Sequence, residues 1–216
     1  MTKPEIIGSS QSTYTRVVRM VCEEKGIEYV LTERMLRAPE VLAIHPFGKM
    51  PVLRHGDFAV CESKAIATYL DRSFPGPPLI PSDPRLAALT EQWVSLVNTV
   101  MDRTLIRTYI LAYIAPKASD GKPDRAAIEA VMPAVREQLG ILDRAVASTG
   151  YLVGDQFTFA DVNLLPILHR VGQFPEGAAA LTAANYLAAY YDTHAARPSF
   201  VRTDPPPGPP RSAKPP

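Results

Sequence analysis

Apolar and polar positions change their rhythm near residue 84, and that change divides the chain. Before it, short apolar runs are separated by turn formers: Glu5-Ile6-Ile7-Gly8, then Tyr29-Val30-Leu31, then Val52-Leu53-Arg54-His55 and Phe58-Ala59-Val60-Cys61. The last two flank Gly56-Asp57, a two-residue connection of the kind that closes a tight hairpin. Between these strands, Val17, Val18, Met20 and Val21 recur at helical spacing up to a basic last turn and a glycine stop at Lys25-Gly26. Ala65, Ile66, Tyr69 and Leu70 give one apolar face to a second helix over Ser63–Ser73. The predicted order is βαβ followed by ββα, a thioredoxin-like α/β plan.

Phe74-Pro75-Gly76-Pro77-Pro78 ends that unit, since proline cannot continue a helix, and residues 77–83 read as a linker. Everything after it reads as helical. Ser82-Asp83-Pro84 supplies a cap and a first-turn proline, after which Leu86, Leu89, Trp93, Leu96, Val97, Val100 and Met101 repeat at three or four as far as Ala115-Pro116. Asp124–Ser148 predicts another helix, with Pro133 either kinking it or marking its true start. Thr158–Val171 and Leu181–Ala196 predict two more, the first opened by a capping box in which Thr158 stands three before Asp161. The expected division is therefore residues 1–76, linker 77–83, an all-helical domain over 84–202, and a proline-rich tail over 203–216 expected to be disordered.

Composition narrows the function more by exclusion than by assignment. Lys and Arg total 23 against 22 acidic residues, so no bulk field gathers nucleic acid or anionic lipid. No stretch approaches the roughly 20 apolar residues that cross a bilayer, and Met1-Thr2-Lys3-Pro4 lacks an apolar signal core, so the cytoplasm is expected. Cys22 and Cys61 are too few for a disulfide framework. The histidines at 45, 55, 169 and 194 show no metal-binding spacing, and no glycine-rich phosphate loop occurs.

Candidate chemistry gathers in two stretches. Ser9-Ser10-Gln11-Ser12-Thr13-Tyr14-Thr15-Arg16 opens the first helix; Ser12 or Thr13 suits its cap, and a hydroxyl turned outward there would donate to an anion favoured by the helix dipole. His45-Pro46-Phe47-Gly48-Lys49-Met50-Pro51-Val52-Leu53 leads to Cys61-Glu62-Ser63, where Ser63 suits the cap of the next helix while first-turn amides remain for an anion. Tyr109 and Tyr113, with Met101 and Met35, read either as core or as the lining of an apolar pocket.

These stretches, in this order and with the Thr158–Asp161 box and Arg197-Pro198-Ser199 behind them, resemble the cytosolic glutathione transferases over nearly all of residues 5–202. The similarity is to the bacterial serine type, theta- or phi-like. It implies the glutathione transferase fold, a thioredoxin-like α/β amino-terminal domain followed by an all-α domain. It further implies a cytoplasmic homodimer with glutathione as co-substrate and no metal, conjugating the glutathione thiolate to a small hydrophobic electrophile. Isomerase, peroxidase or dehalogenase chemistry at the same site, or noncatalytic binding, are the alternatives it leaves. Ser12, four before Arg16, matches the hydroxyl that serves the thiolate, with Ser10 and Tyr14 as neighbours able to replace it. Met50-Pro51 matches a Val-Pro pair whose bond is cis and whose first residue pairs its main chain with the cysteinyl part of glutathione; Lys49 adjoins the glycyl end. Glu62 and Ser63 match the pair at the γ-glutamyl end. Arg37 and His45 are candidates for the glycyl carboxylate, and Asp102 for the γ-glutamyl amine bound by a second subunit. Isomerase relatives carry Ser-Ser-Cys where this chain has Ser9-Ser10-Gln11, and glutaredoxin-like relatives carry Cys in place of Ser12.

Overall fold

The computed structural model of the chain describes residues 2–115 and 121–206. The chain divides into two compact units: one takes the residues through Ala87 together with the segment from Ala195, and the other runs from Ala88 to His194. In the first, β1 (Glu5–Gly8), α1 (Thr13–Lys25), β2 (Val30–Glu33), α2 (Pro39–Leu42), β3 (Val52–His55), β4 (Phe58–Cys61) and α3 (Ser63–Ser73) follow in order. The sheet runs β2-β1-β3-β4, with β1 and β2 parallel and both remaining pairs antiparallel, which is the thioredoxin-like plan. Alternation along the strands sorts the core. Ile7 and Val52, paired in register, pack with Val41 of α2 on one face. The Ile6–Leu53 pair points the other way, toward the side where α1 and α3 pack, and both residues are fully buried. The short α2 was not expected; its few residues carry no helical periodicity.

The linker is fastened by a buried ion pair. Lys25 Nζ, at the end of α1, lies 3.1 Å from Asp71 Oδ1 of α3 and donates to the Pro77 carbonyl at 3.1 Å. Asp71 in turn accepts from the amides of Leu79 at 2.9 Å and Ile80 at 3.2 Å. Both carboxylate oxygens are thereby paired and the ammonium has two acceptors, the kind of arrangement in which a buried charge pair is tolerable. Gly76 makes the approach possible: at φ +115°, an added Cβ would stand 2.6 Å from the Lys25 carbonyl oxygen.

Helix α4 (Pro84–Leu96) begins in the first unit and continues into the helical unit, which goes on with a π-helical stretch over Val97–Ile110, α5 (Leu111–Ile114), α6 (Arg125–Val146), α7 (Phe159–Gly172), α8 (Pro175–Ala183) and nearly all of α9 (Asn185–Ala195). Pro133 lies inside α6, whose start is fixed instead by Asp124 accepting from Ala127 N at 3.0 Å. The expected helix over 181–196 is two helices, because Ala184 leaves the helical region at ψ 86°. In the π stretch, side chains five apart meet: Arg107 Nε donates to Asp102 Oδ2 at 2.9 Å, and Thr108 Oγ1 to the Arg103 carbonyl at 2.8 Å. The capping box forms as expected. Asp161 accepts from Thr158 N at 2.8 Å, Leu152 N at 3.0 Å and Tyr190 Oη at 3.0 Å. Burial pushes its carboxyl above the ordinary range, and these donors oppose the shift.

The carboxy-terminal boundary differs from expectation. Residues 195–202, assigned by sequence to the helical domain, belong with the first unit, and the helix α10 (Pro198–Arg202) packs on α1. Arg197 bonds the Glu24 carboxylate bidentately at 2.8 and 2.7 Å, and Ser199 Oγ donates to the same group. Nor is residue 203 the start of a free tail: Thr203 is fully buried and Asp204 Oδ1 lies 3.1 Å from Arg16 Nη2. The remainder of the proline-rich segment, 207–216, lies outside the described residues.

Two stability effects follow from these contacts. Gly76→Ala adds a clash to a backbone that an L side chain rarely adopts, and is expected to cost about 2 kcal/mol, a fall in melting temperature of roughly 4–8 °C. Asp204→Ala leaves the buried Arg16 guanidinium without its acid. Because the carboxylate is half-exposed, the expected loss is about 1 kcal/mol, or roughly 2–4 °C by calorimetry.

Candidate functional site

Helix α1 starts at Thr13 because Ser12 leaves the helical region at φ −77°, ψ 126° and turns its side chain back, so that Oγ accepts from Thr15 N at 3.3 Å. The loop before it is held through its own amides. Ser9 N–H donates to the Met50 sulfur at 3.2 Å, and Ser10 N–H to both carboxylate oxygens of Glu33 at 3.0 and 3.1 Å. Gln11 N–H donates to Ser9 Oγ at 3.2 Å, and Ser12 N–H to the Ser9 carbonyl at 2.9 Å. Gly8 lets β1 pass close to the helix: a Cβ there would sit 2.6 Å from Thr15 Oγ1 and 3.4 Å from Met50 Cβ.

The cap uses one lone pair of the Ser12 hydroxyl and leaves its proton to be donated outward. Capping and anion binding are therefore compatible here. The Thr13 amide has no partner among the described residues, so a hydroxyl donor and a main-chain donor share the positive end of the helix dipole. Ser10 and Tyr14 are both half-buried near this mouth, but Ser10 lies against the Glu33 carboxylate, a poor neighbour for a second anion. Arg16 does not face the mouth. It is buried, lies 3.9 Å over the Phe200 ring and donates to the Phe200 carbonyl at 2.9 Å, anchoring α1 on α10.

The opposite wall begins at Met50-Pro51, whose peptide bond is cis, as the resemblance implied. Met50 lies just beyond the last β1–β3 rung, Ile7 with Val52, and reaches the α1 loop through its sulfur. Lys49 is exposed beside it, after Gly48, whose carbonyl accepts from Arg37 N at 2.9 Å. Arg37 itself holds φ 63° and exposes its side chain.

Ser63, expected to cap α3, is instead its first helical residue. Glu62 occupies the cap position at φ 72°, ψ 119° and makes no side-chain capping bond, so α3 begins with its dipole end uncovered by a side-chain acceptor. Such backbone costs on the order of 1–3 kcal/mol in a residue other than glycine and is typical of functional sites. His45 is also corrected. Its ring is buried at 3% exposure, accepts from Phe47 N at Nδ1 over 3.1 Å, and places Nε2 3.1 Å from Glu62 Oε1. With both nitrogens engaged inside the unit, it is not placed to hold a glycyl carboxylate.

Three further candidates lie in the helical unit, where each serves internal contacts. Asp102 is nearly buried and paired with Arg107. Tyr109 is fully buried, its hydroxyl accepts from Gly177 N at 2.7 Å, and burial raises its phenol to about 12. Tyr113 stacks on Phe174 at 4.3 Å between centroids and bonds Glu176 and Arg125; burial and the neighbouring carboxylate raise its phenol also. The contacts of Tyr109 are those of a core side chain, while Asp102 and Tyr113 pair with arginines at the surface of the unit. Burial likewise pushes the Cys22 thiol up, away from nucleophilic use. Among the described residues no group of three His, Cys, Asp or Glu is arranged for a metal ion, and no helix is long and apolar enough to cross a membrane.

Glu33, the Met50 sulfur and the His45–Glu62 bond were not found by sequence reasoning. Glu33 is an exposed acid at the end of a strand, and only the parallel register that sets it beside Gly8 brings it to the loop.

Comparison with known proteins finds likeness over both parts of the chain. The family model described as glutathione S-transferase, N-terminal domain, matches residues 6–78, and that described as glutathione S-transferase, C-terminal domain, matches residues 102–198. The chain is 31% identical over 195 residues to glutathione S-transferase 3 of Zea mays, covering 86% of each protein. It is 28% identical over 168 residues to the stringent starvation protein A homolog of Haemophilus ducreyi, covering 77% of this chain and 73% of that one. Among solved structures, a glutathione S-transferase from Methylobacillus flagellatus with glutathione bound superposes with TM-score 0.79 at 28% identity, over 94% of this chain and 100% of that one.

Proposed function

The chain belongs to the glutathione S-transferase family, and on that premise we propose that it is a serine-type glutathione transferase with Ser12 as the residue that activates the thiol. The observation that carries the proposal is the Ser12 cap: the hydroxyl accepts from Thr15 N and keeps its proton for a thiolate at the helix mouth. Glutathione lies with its cysteinyl main chain along Met50, its γ-glutamyl carboxylate at the start of α3 by Ser63, its γ-glutamyl amine at the Glu62 carboxylate, and its glycyl end toward Lys49 and Arg37. The bound thiol gives its proton to solvent. The thiolate sulfur then forms a bond to the electrophilic carbon of a small hydrophobic substrate, and the leaving group departs with its electron pair. The same reading makes the protein a cytoplasmic homodimer.

A second reading is noncatalytic glutathione binding. Fold membership alone does not choose between the two.

Thiolate absorbance of the glutathione complex against pH makes the choice. A free thiol titrates near 8.5, and each unit of depression needs about 1.36 kcal/mol of preference for the ionised form. One hydrogen bond to a charged acceptor supplies roughly 1.5–3 kcal/mol, hence one to two units. Ser12→Ala is expected to raise the bound thiol's pKa by that amount. Conjugation then falls by about one to two decades at neutral pH and recovers as pH rises through the new value. Binding of glutathione with no depressed thiol in the parent protein supports the noncatalytic reading. A shift on Ser10→Ala or Tyr14→Phe, with none on Ser12→Ala, moves the role to that neighbour.

A further inference from the structure

We propose that His45 is a positioning residue for glutathione, holding the Glu62 carboxylate in place to receive the γ-glutamyl ammonium. The inference rests on the glutathione reading given above and adds to it a residue that contacts no part of the ligand.

The argument begins with Glu62. Its side chain is exposed at 69%, and its backbone stands at positive φ, so the rest of the fold must hold the residue where it is. A free glutamate side chain loses rotamer freedom when a ligand fixes it, which weakens binding unless the protein has fixed it beforehand. His45 supplies that restraint from below. Its ring is buried at 3% exposure, and the turn carrying it is tied to α2 through His45 N to the Val41 carbonyl at 2.8 Å. The Gly48 amide donates to the His45 carbonyl at 2.9 Å, closing the turn on its other side.

The ring's own bonds define its tautomer. Phe47 N–H can donate only to an unprotonated nitrogen, so Nδ1 carries the lone pair and Nε2 carries the proton. That proton is donated to Glu62 Oε1 at 3.1 Å. The second carboxylate oxygen, Oε2, is then left to accept from an ammonium, with its direction set by a ring that cannot turn without losing the Phe47 bond. A main-chain amide thus determines which nitrogen faces Glu62, and the buried ring transmits that choice to an exposed carboxylate.

Two substitutions separate this role from a merely structural one. Gln at position 45 sets its side-chain amide near the place of Nε2 and keeps a donor for Glu62; Asn sets its polar atoms near Nδ1 and keeps only the acceptor for Phe47 N. Calorimetric titration is run on parent, His45→Gln and His45→Asn with three ligands: glutathione, its analogue lacking the γ-glutamyl amino group, and γ-glutamylcysteine, which lacks glycine. His45→Asn is expected to weaken glutathione and γ-glutamylcysteine by roughly three- to tenfold and the deamino analogue less than twofold, with His45→Gln close to the parent for all three. Equal weakening of all three ligands by both variants assigns His45 to folding alone and overturns the inference. Weakening confined to the ligands that carry glycine overturns it in favour of a glycyl contact. Parent protein that binds no glutathione overturns the underlying reading, and this inference with it. Should His45→Asn fail to fold, the imidazole nitrogens of the unaltered protein are read by long-range proton–nitrogen NMR at neutral pH. Protonation on Nε2, retained when glutathione binds, is the expected result; protonation on Nδ1 overturns the proposal.

Discussion

A helix that opens into solvent must give its first amides somewhere to go, and in this protein the start of α1 decides how the rest of the proposed glutathione site is arranged. The Ser12 hydroxyl takes one amide, and the Ser9–Ser12 turn takes care of those before it. What remains is a hydroxyl proton and the amide of Thr13 at the positive end of a thirteen-residue helix. An anion is the natural complement, and in the proposed function that anion is the glutathione thiolate. The constraint also reaches sideways. Because Ser9 N–H is bound to the Met50 sulfur and Ser10 N–H to Glu33, the helix mouth, the Met50-Pro51 turn and the end of β2 are held as one piece.

That piece is only as firm as α1, and α1 is anchored toward both ends by paired charges. At its carboxy-terminal end Lys25 meets Asp71, which also gathers the linker amides of Leu79 and Ile80. Beside it Glu24 takes Arg197 and Ser199, and near the start of the helix Arg16 takes the Phe200 carbonyl and Asp204. Removing one partner of such a set leaves a buried charge uncompensated, which costs more than the bond itself contributes. The carboxy-terminal segment from Ala195 thus acts as a clasp on the helix that carries the proposed thiol site, which is why it belongs with the α/β unit although helical residues precede it in the chain.

The parts of this architecture that depend on local pattern were legible in the sequence. Strand alternation at Ile6-Ile7 and Val52-Leu53, the Gly56-Asp57 turn, the Lys25-Gly26 stop and the Thr158–Asp161 box all formed where their residues said. What could not be read depends on pairings between distant residues. Arg16 looked like a marker of the thiol loop and is a core anchor, because its partners lie at 200–204. Ser63 looked like a cap and is not one, because the positive φ of Glu62 moves the start of the helix back by one residue. His45 looked like a cation for a carboxylate, and its two nitrogens are instead committed by Phe47 and Glu62, neither choice visible without the turn that brings them together. The π-helical stretch is a similar case: its side chains repeat at three or four, and only the contacts five apart, Arg107 with Asp102 and Thr108 with Arg103, reveal it.

The central claim is that glutathione is held by the α1 mouth, the Met50-Pro51 turn and the start of α3 together. Hydrogen–deuterium exchange of the full chain with and without saturating glutathione tests it most directly, since a ligand that accepts main-chain hydrogen bonds slows exchange at the donors it occupies. Slower exchange is predicted in three separate segments, 9–16, 47–52 and 61–66, with the amides around Thr158–Asp161 unchanged. Protection confined to one of the three, or appearing only in the helical unit, would contradict the account.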